Sequence, residues 1–220
     1  MIPIAFIFDM DGVIIDSNPF HKISLKQFCK KYGHDLNEEQ LRAKIYGRTN
    51  KDWIPNVFGD LDEKKMRQYA DEKEALFREL YKNDIKPLEG IVDFLKQLDQ
   101  LKIARAIATS APRANVDFTL SKTGTEKYFP VILDESFVSR GKPDPEIYLK
   151  TAAALKFAPG QCIVFEDSLS GVKAGKSAGC KVVGITTTHS REELTETDYN
   201  IDNFTDIDPK TLISKLFGSI

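Results

Sequence analysis

Short apolar runs alternate along this chain with longer stretches in which apolar residues recur every three or four positions. The runs Ile4–Phe8, Ile103–Ala108, Val131–Leu133, Cys162–Phe165 and Lys181–Ile185 are rich in β-branched and aromatic residues and read as strands. Helical spacing marks Ile91–Leu101, Asn115–Lys122, Pro145–Leu155, Gly171–Ala178 and Pro209–Phe217. This rhythm of strand, helix and strand predicts an α/β fold, a Rossmann-like parallel sheet with helices on both faces. One stretch breaks it. From about Val13 to Asp84 there are helical segments at Pro19–Lys31, Glu38–Lys44 and Leu61–Tyr81, but no strand. The pattern predicts a core domain over 1–13 and 85–220, interrupted by a helical domain over 14–84.

Four of the strands give way to polar residues that a buried strand has no use for, since an unpaired charge is costly to desolvate. Asp9 and Asp11 follow the first, with Gly12 free to turn the backbone away. Residues two apart on an extended chain point the same way, so both carboxylates can address one site. Thr109 and Ser110 follow the second strand, Lys142 precedes a helix within Arg140–Pro145, and Glu166-Asp167 follows Cys162–Phe165. In a parallel sheet all carboxyl ends share one edge, where ligands bind. A carboxylate is a competent nucleophile toward phosphorus, yet like charges at about 4 Å repel by about 1 to 4 kcal/mol. Several carboxylates around a phosphate therefore call for a cation, and oxygen ligands suit Mg²⁺. Lys142 supplies a second positive charge, and a hydroxyl and backbone N–H groups can hold phosphate oxygens. Singly these residues have plainer readings: an acidic turn, a strand-end hydroxyl, a solvated loop lysine, anions at a helix start. Their combination points to phosphoryl transfer.

Composition narrows the setting. Hydrophobic residues make up 41% and charged residues 29%, as in ordinary globular domains, and a net charge of −2 predicts no nucleic-acid or membrane partner. Cys29, Cys162 and Cys180 form no CxxC pair and read as reduced core thiols, which with the lack of a signal-like start predicts a cytoplasmic protein; a monomer is expected. Two motifs are decoys. Gly171–Ser177 falls one residue short of a phosphate-binding P-loop, because Ser170 stands where the first glycine belongs. Asp9-Met10-Asp11-Gly12 is not a calcium loop, since Val13 occupies the next ligand position.

Asp9-Met10-Asp11-Gly12, Thr109, Lys142 and Glu166-Asp167, in this order and spacing, resemble the four motifs of the haloacid dehalogenase-like superfamily. Gly141–Pro145 and Phe165–Gly175 are most similar to its β-phosphoglucomutase-like subfamily. The resemblance implies that Asp9 is the nucleophile, carrying an aspartyl-phosphate, and that Asp11 is the general acid and base. It implies Mg²⁺ held by Asp9, the Asp11 carbonyl and Asp167, with Glu166 beside them. Thr109, Lys142 and the Ser110 backbone N–H would bind the transferred phosphoryl group. The second aspartate, Asp11, separates this chain from the dehalogenases, which lack it.

The helical insertion resembles the subfamily's cap domain, with hinges expected near Val13–Ser17 and Asn83–Pro87. His21 falls where the mutases carry a histidine on the first cap helix, though it also reads as a hydrogen-bonded helix residue. Gly47–Asp52 is the expected specificity loop, with Arg48 able to pair with an anion. Here the chain departs from the mutases. Asn50 stands where they use an arginine, Arg48 lies two places earlier, and Ala111-Pro112 with Arg113 beyond replaces the polar residues expected after Ser110. These departures favour a phosphatase of small phosphorylated metabolites, sugar phosphates foremost, over the alternative, a β-phosphoglucomutase.

Overall fold

The first apolar run forms strand β1 (Ala5–Phe8), which lies inside a six-stranded sheet in the computed structural model of the chain, where residues 3–205 and 207–218 are described. The other strands are β2 (Ala104–Ala108), β3 (Val131–Leu133), β4 (Cys162–Glu166), β5 (Lys181–Ile185) and β6 (Tyr199–Ile201). Their order is β3-β2-β1-β4-β5-β6, and every pairing is parallel. Ile7 lies opposite Ala106 on one side and Val164 on the other, which fixes the register of the three central strands. The sequence pattern finds five of these strands and misses β6. With three residues, two of them half-exposed, β6 is too short to show a period.

Four helices, α1 (Asn18–Lys31), α2 (Glu38–Lys44), α3 (Asn50–Phe58) and α4 (Glu63–Tyr81), fill the stretch between β1 and β2. Thereafter α5 (Ile91–Gln100), α6 (Arg113–Thr123), α7 (Glu146–Leu155), α8 (Leu169–Ser177) and α9 (Pro209–Phe217) alternate with or follow the strands. Contacts divide the chain into two compact units, Met1–Asp16 with Ile85–Ile220, and Ser17–Asp84.

In the first unit, alternate side chains of the central strands serve different layers. Ala5, Ile7, Ala108, Val164 and Val182 form one buried cluster with Tyr148 and Ala152 of α7 and Val172 and Ala174 of α8. Phe6, Phe8 and Phe165 form another, with the rings of Phe8 and Phe165 stacked at 4.7 Å and Phe94 and Phe204 closing over them. Gly171–Ser177 lies within α8 and is no P-loop: Gly175 lets the helix approach the sheet so closely that a Cβ there would be 2.9 Å from Val182. The chain leaves this unit after Asp16 and returns at Ile85 with the two segments tied together. Leu88 N–H donates to the Ile14 carbonyl at 2.8 Å, and Ile15 bridges both Asp11 and Pro87.

The second unit has its own core of Phe28, Leu41, Trp53, Ile54, Val57 and Tyr69. Helix α3 is the element of this unit that the sequence pattern missed. Pro55 in its interior interrupts the helical signal, although Trp53, Ile54 and Val57 share its buried face. The expected loop Gly47–Asp52 is therefore corrected: Asn50, Lys51 and Asp52 form the first turn of α3.

Candidate active site

The strand order reverses between β1 and β4, and at such a point the adjacent carboxyl ends open a crevice for ligands. Asp9 extends β1 by one residue, its N–H donating to the Phe165 carbonyl at 3.0 Å. The chain then turns tightly. Val13, Ile14 and Ile15 N–H groups all point at the Met10 carbonyl, and Gly12 N–H donates to Ile15 at 2.7 Å. Gly12 is required here on two counts, a φ of 77° and the closeness of Asp167, whose Oδ2 would lie 1.9 Å from a Cβ. Asp11, half-buried, belongs to this same turn through its bridge to Ile15.

Lys142 joins the strand ends. Its Nζ donates to Asp9 Oδ1 at 2.7 Å, to Glu166 Oε1 at 2.6 Å and to the Ala108 carbonyl at 3.3 Å. All three ammonium protons are thereby used, on the ends of β1, β4 and β2. Asp9, Glu166 and Asp167 are 7%, 0% and 4% exposed. Glu166 Oε1 also accepts from the Tyr148 hydroxyl at 2.6 Å, and its Oε2 accepts from the Ser168 hydroxyl at 2.9 Å and the Asp167 and Ser168 amides at 3.2 Å. Asp167 Oδ2 accepts a short bond from the Thr188 hydroxyl, and the Thr187 hydroxyl donates to the Gly12 carbonyl at 2.6 Å.

Burial sets the electrostatics. It pushes Asp9 up to about 7 against the pull of Lys142, with Glu166 and Asp11 adding to the rise. Asp167 is likewise held well above the usual carboxylate range by burial and by the charges of Glu166 and Asp9. For Glu166, burial is outweighed by Lys142 and its hydrogen bonds, so this carboxyl lies below its ordinary value. Burial would also lower Lys142, but the two carboxylates outweigh it and keep the ammonium charged. An added cation would relieve these carboxylates. One carboxylate oxygen each of Asp9, Glu166 and Asp167 lies within 4.8 Å of the others, and such oxygen-only surroundings fit a hard divalent ion such as Mg²⁺.

The other expected residues are placed unevenly. Thr109 is buried after β2, its N–H on the Leu133 carbonyl and its hydroxyl accepting from Ala111 N–H at 3.1 Å, with Ser110 exposed beside it. Arg113 is an exposed residue in the first turn of α6 and pairs with Asp117 on its own helix at 2.8 Å, outside the carboxylate cluster. In the second unit, Arg48 is exposed and donates to the Ala43 carbonyl at 2.9 Å. Asn50 is bound within its own unit, donating to Glu74 at 3.0 Å and accepting from the Trp53 indole at 2.8 Å. His21 stacks on Phe77 at 3.8 Å, with Nδ1 3.1 Å from Lys73 Nζ, and Lys73 pairs with Glu74 at 2.9 Å. Among the residues that hold the carboxylate cluster, sequence reasoning missed Tyr148, Ser168 and Thr188, and in the second unit it missed the buried Lys73–Glu74 pair. For Tyr148 a signal existed: it is a polar-tipped residue on the buried face of α7, six positions after Lys142.

Comparisons with known proteins agree with this geometry. The family model of the haloacid dehalogenase-like hydrolases matches residues 6–185. The chain is 36% identical over 180 residues to a phosphorylated carbohydrates phosphatase of Thermotoga maritima, covering 80% of this chain and 81% of that protein. It is 31% identical over 194 residues to the β-phosphoglucomutase of Bacillus subtilis, covering 82% of each. Among solved structures, a HAD hydrolase of family IA, variant 3, from Entamoeba histolytica superposes with a TM-score of 0.88 at 32% identity, covering 96% of this chain and 98% of the other. A sheet of this order, a strand-end aspartate held by a lysine, and matches along nearly the whole chain lead to one conclusion: the chain belongs to the haloacid dehalogenase-like hydrolases and is β-phosphoglucomutase-like among them.

Proposed function

We propose that this hydrolase is a Mg²⁺-dependent phosphatase of small phosphorylated metabolites, sugar phosphates foremost, and that it works through an aspartyl-phosphate on Asp9. The observation that carries the reading is the buried Lys142–Asp9 contact of 2.7 Å at the strand-order reversal, which sets a nucleophile beside a phosphate-binding cation. An Asp9 oxygen attacks phosphorus, the bond to the leaving oxygen breaks, and Asp11 supplies that oxygen with a proton. Asp11 then takes a proton from the attacking water, phosphate leaves and the Asp9 carboxylate is restored. Lys142 holds the transferred group by charge, while the Ser110 N–H and Thr109 contribute polar contacts. Asp9, Asp167 and the Asp11 carbonyl would hold Mg²⁺, with Glu166 beside them, and the ion when bound offsets the negative charge shared by carboxylates and phosphate.

Residues 17–84 are the proposed cap that selects the substrate, and the enzyme acts as a cytoplasmic monomer in this reading. The sugar-phosphate preference is supported by the Thermotoga relative, and hydrolysis over mutase action by Asn50, which stands where the mutases use an arginine and is bound to Glu74 and Trp53. Similarity to the Bacillus mutase keeps β-phosphoglucomutase as the alternative. The test incubates the protein with Mg²⁺ and a panel of phosphorylated sugars and polyols. Free phosphate is measured and, for β-glucose 1-phosphate, glucose 6-phosphate as well. Phosphate release without isomerisation is expected, and Asp9→Asn should lower it by about 10³-fold or more. Isomerisation that depends on glucose 1,6-bisphosphate would establish the mutase instead. Full activity of Asp9→Asn would refute the mechanism.

A further inference from the structure

A carboxylate has about four lone-pair positions to offer. Those of Glu166 meet five donors: Lys142 and Tyr148 on Oε1, and Ser168 Oγ with the Asp167 and Ser168 amides on Oε2. Gly171 closes the Oε1 side, since a Cβ there would lie 1.8 Å from that oxygen. The side chain is thus wedged between the start of α8, the hydroxyl of α7 and the ammonium of Lys142. Asp167 has a different setting. It lies against Gly12, in the turn that carries Asp9 and Asp11.

We propose that Glu166 is a positioning residue for Lys142 and not a direct metal ligand, and that Tyr148 commits it to this role. The inference rests on the phosphatase reading above. Lysine has a flexible four-carbon stem, and its ammonium is useful against phosphate only when held in one place. Here it is held between two carboxylates from neighbouring strands, and one of those is itself fixed by Tyr148. For Glu166 to turn an oxygen toward an ion, either the 2.6 Å bonds from Tyr148 and Lys142 to Oε1 or the contacts of Ser168 and the two amides with Oε2 would have to break. Metal binding then falls to Asp9, Asp167 and the Asp11 carbonyl.

The test compares Tyr148→Phe, Glu166→Gln and Asp167→Asn in the full chain. Mg²⁺ affinity is read by calorimetry without substrate, and thermal unfolding checks the fold. Phosphate release gives kcat, KM and the inhibition constant of inorganic phosphate. Tyr148→Phe and Glu166→Gln should keep the Mg²⁺ dissociation constant within about threefold, while Asp167→Asn raises it about 10- to 100-fold. The first two should lower kcat and weaken phosphate inhibition by about tenfold or more. A general loosening of the fold would not spare metal binding in this way. If Glu166→Gln weakens Mg²⁺ as much as Asp167→Asn does, Glu166 is a ligand and the proposal fails. It also fails if Tyr148→Phe, the variant that decides the matter should Glu166→Gln not fold, matches the unaltered protein in every readout. If the unaltered protein neither binds Mg²⁺ nor releases phosphate, the phosphatase reading itself falls and the proposal with it.

Discussion

Glu74 shows what one buried carboxylate can contribute. Burial alone would raise its carboxyl, but Lys73 and His21, with hydrogen bonds from Asn50 and Lys73, outweigh burial and bring it down to about 2. An unfolded glutamate titrates near 4.3. The folded value is the lower one, so the stabilisation is fully present above that pH and is lost as pH falls toward about 2. It amounts to about 3 kcal/mol. Urea unfolding of the native protein and Glu74→Gln should show a large gap at pH 7 that narrows steadily from pH 4.5 downward. A gap independent of pH would mean that the pair is not ionised. Residues of this kind are hard to read in a sequence. Asp9 and Asp167 are legible because each stands where an apolar strand gives way to charge, whereas Lys142 lies in a polar loop after β3 and is legible only through the motif Gly141–Pro145 and its place in the order of motifs. Lys73 and Glu74 sit in a helix charged nearly all round, and only the fold shows which charges are buried.

Among elements, the junction of α8, β5 and the start of β6 turns on Asp198. Its Oδ2 accepts from Lys176 of α8 and from the Val182 amide of β5, both at 2.8 Å, and its Oδ1 accepts from Lys181 at 3.2 Å. Val182 is buried, so removing its acceptor leaves an amide unsatisfied. Asp198→Ala should therefore cost about 1–3 kcal/mol. Lys181→Ala, at a partly exposed ion pair, should cost less than about 1 kcal/mol. Denaturant titration of the two variants checks the ranking, and equal costs would contradict it. This junction also explains why β6 escapes the sequence pattern. What fixes its start is a polar side chain bound across strands, whereas periodicity registers only apolar spacing. Long elements such as α5 and α7 announce themselves, because their buried faces repeat over nearly three turns.

For the molecule as a whole, Asp9 and Asp167 at the sheet edge weigh against folding unless a further cation joins them. Asp9 and Asp167 both titrate above their ordinary range because they are buried together. Mg²⁺ should then stabilise the unit that holds them by about 2.7 kcal/mol at a hundredfold excess over its dissociation constant, and so raise its thermal transition. EDTA should reverse the gain, and Asp167→Asn should largely abolish it while leaving the metal-free protein at least as stable as the native one. A melting curve indifferent to Mg²⁺ would refute this. Among the described residues no helix is long and apolar enough to cross a membrane. The position of β1 has a consequence for how such a chain comes into being. Ile7 is made well before its partners, Ala106 and Val164. Pairings so far apart in sequence are slow to form. On the ribosome, β1 must therefore wait with its aromatic side chains uncovered until β4 emerges, which makes this interval the one in which the nascent chain most needs a chaperone.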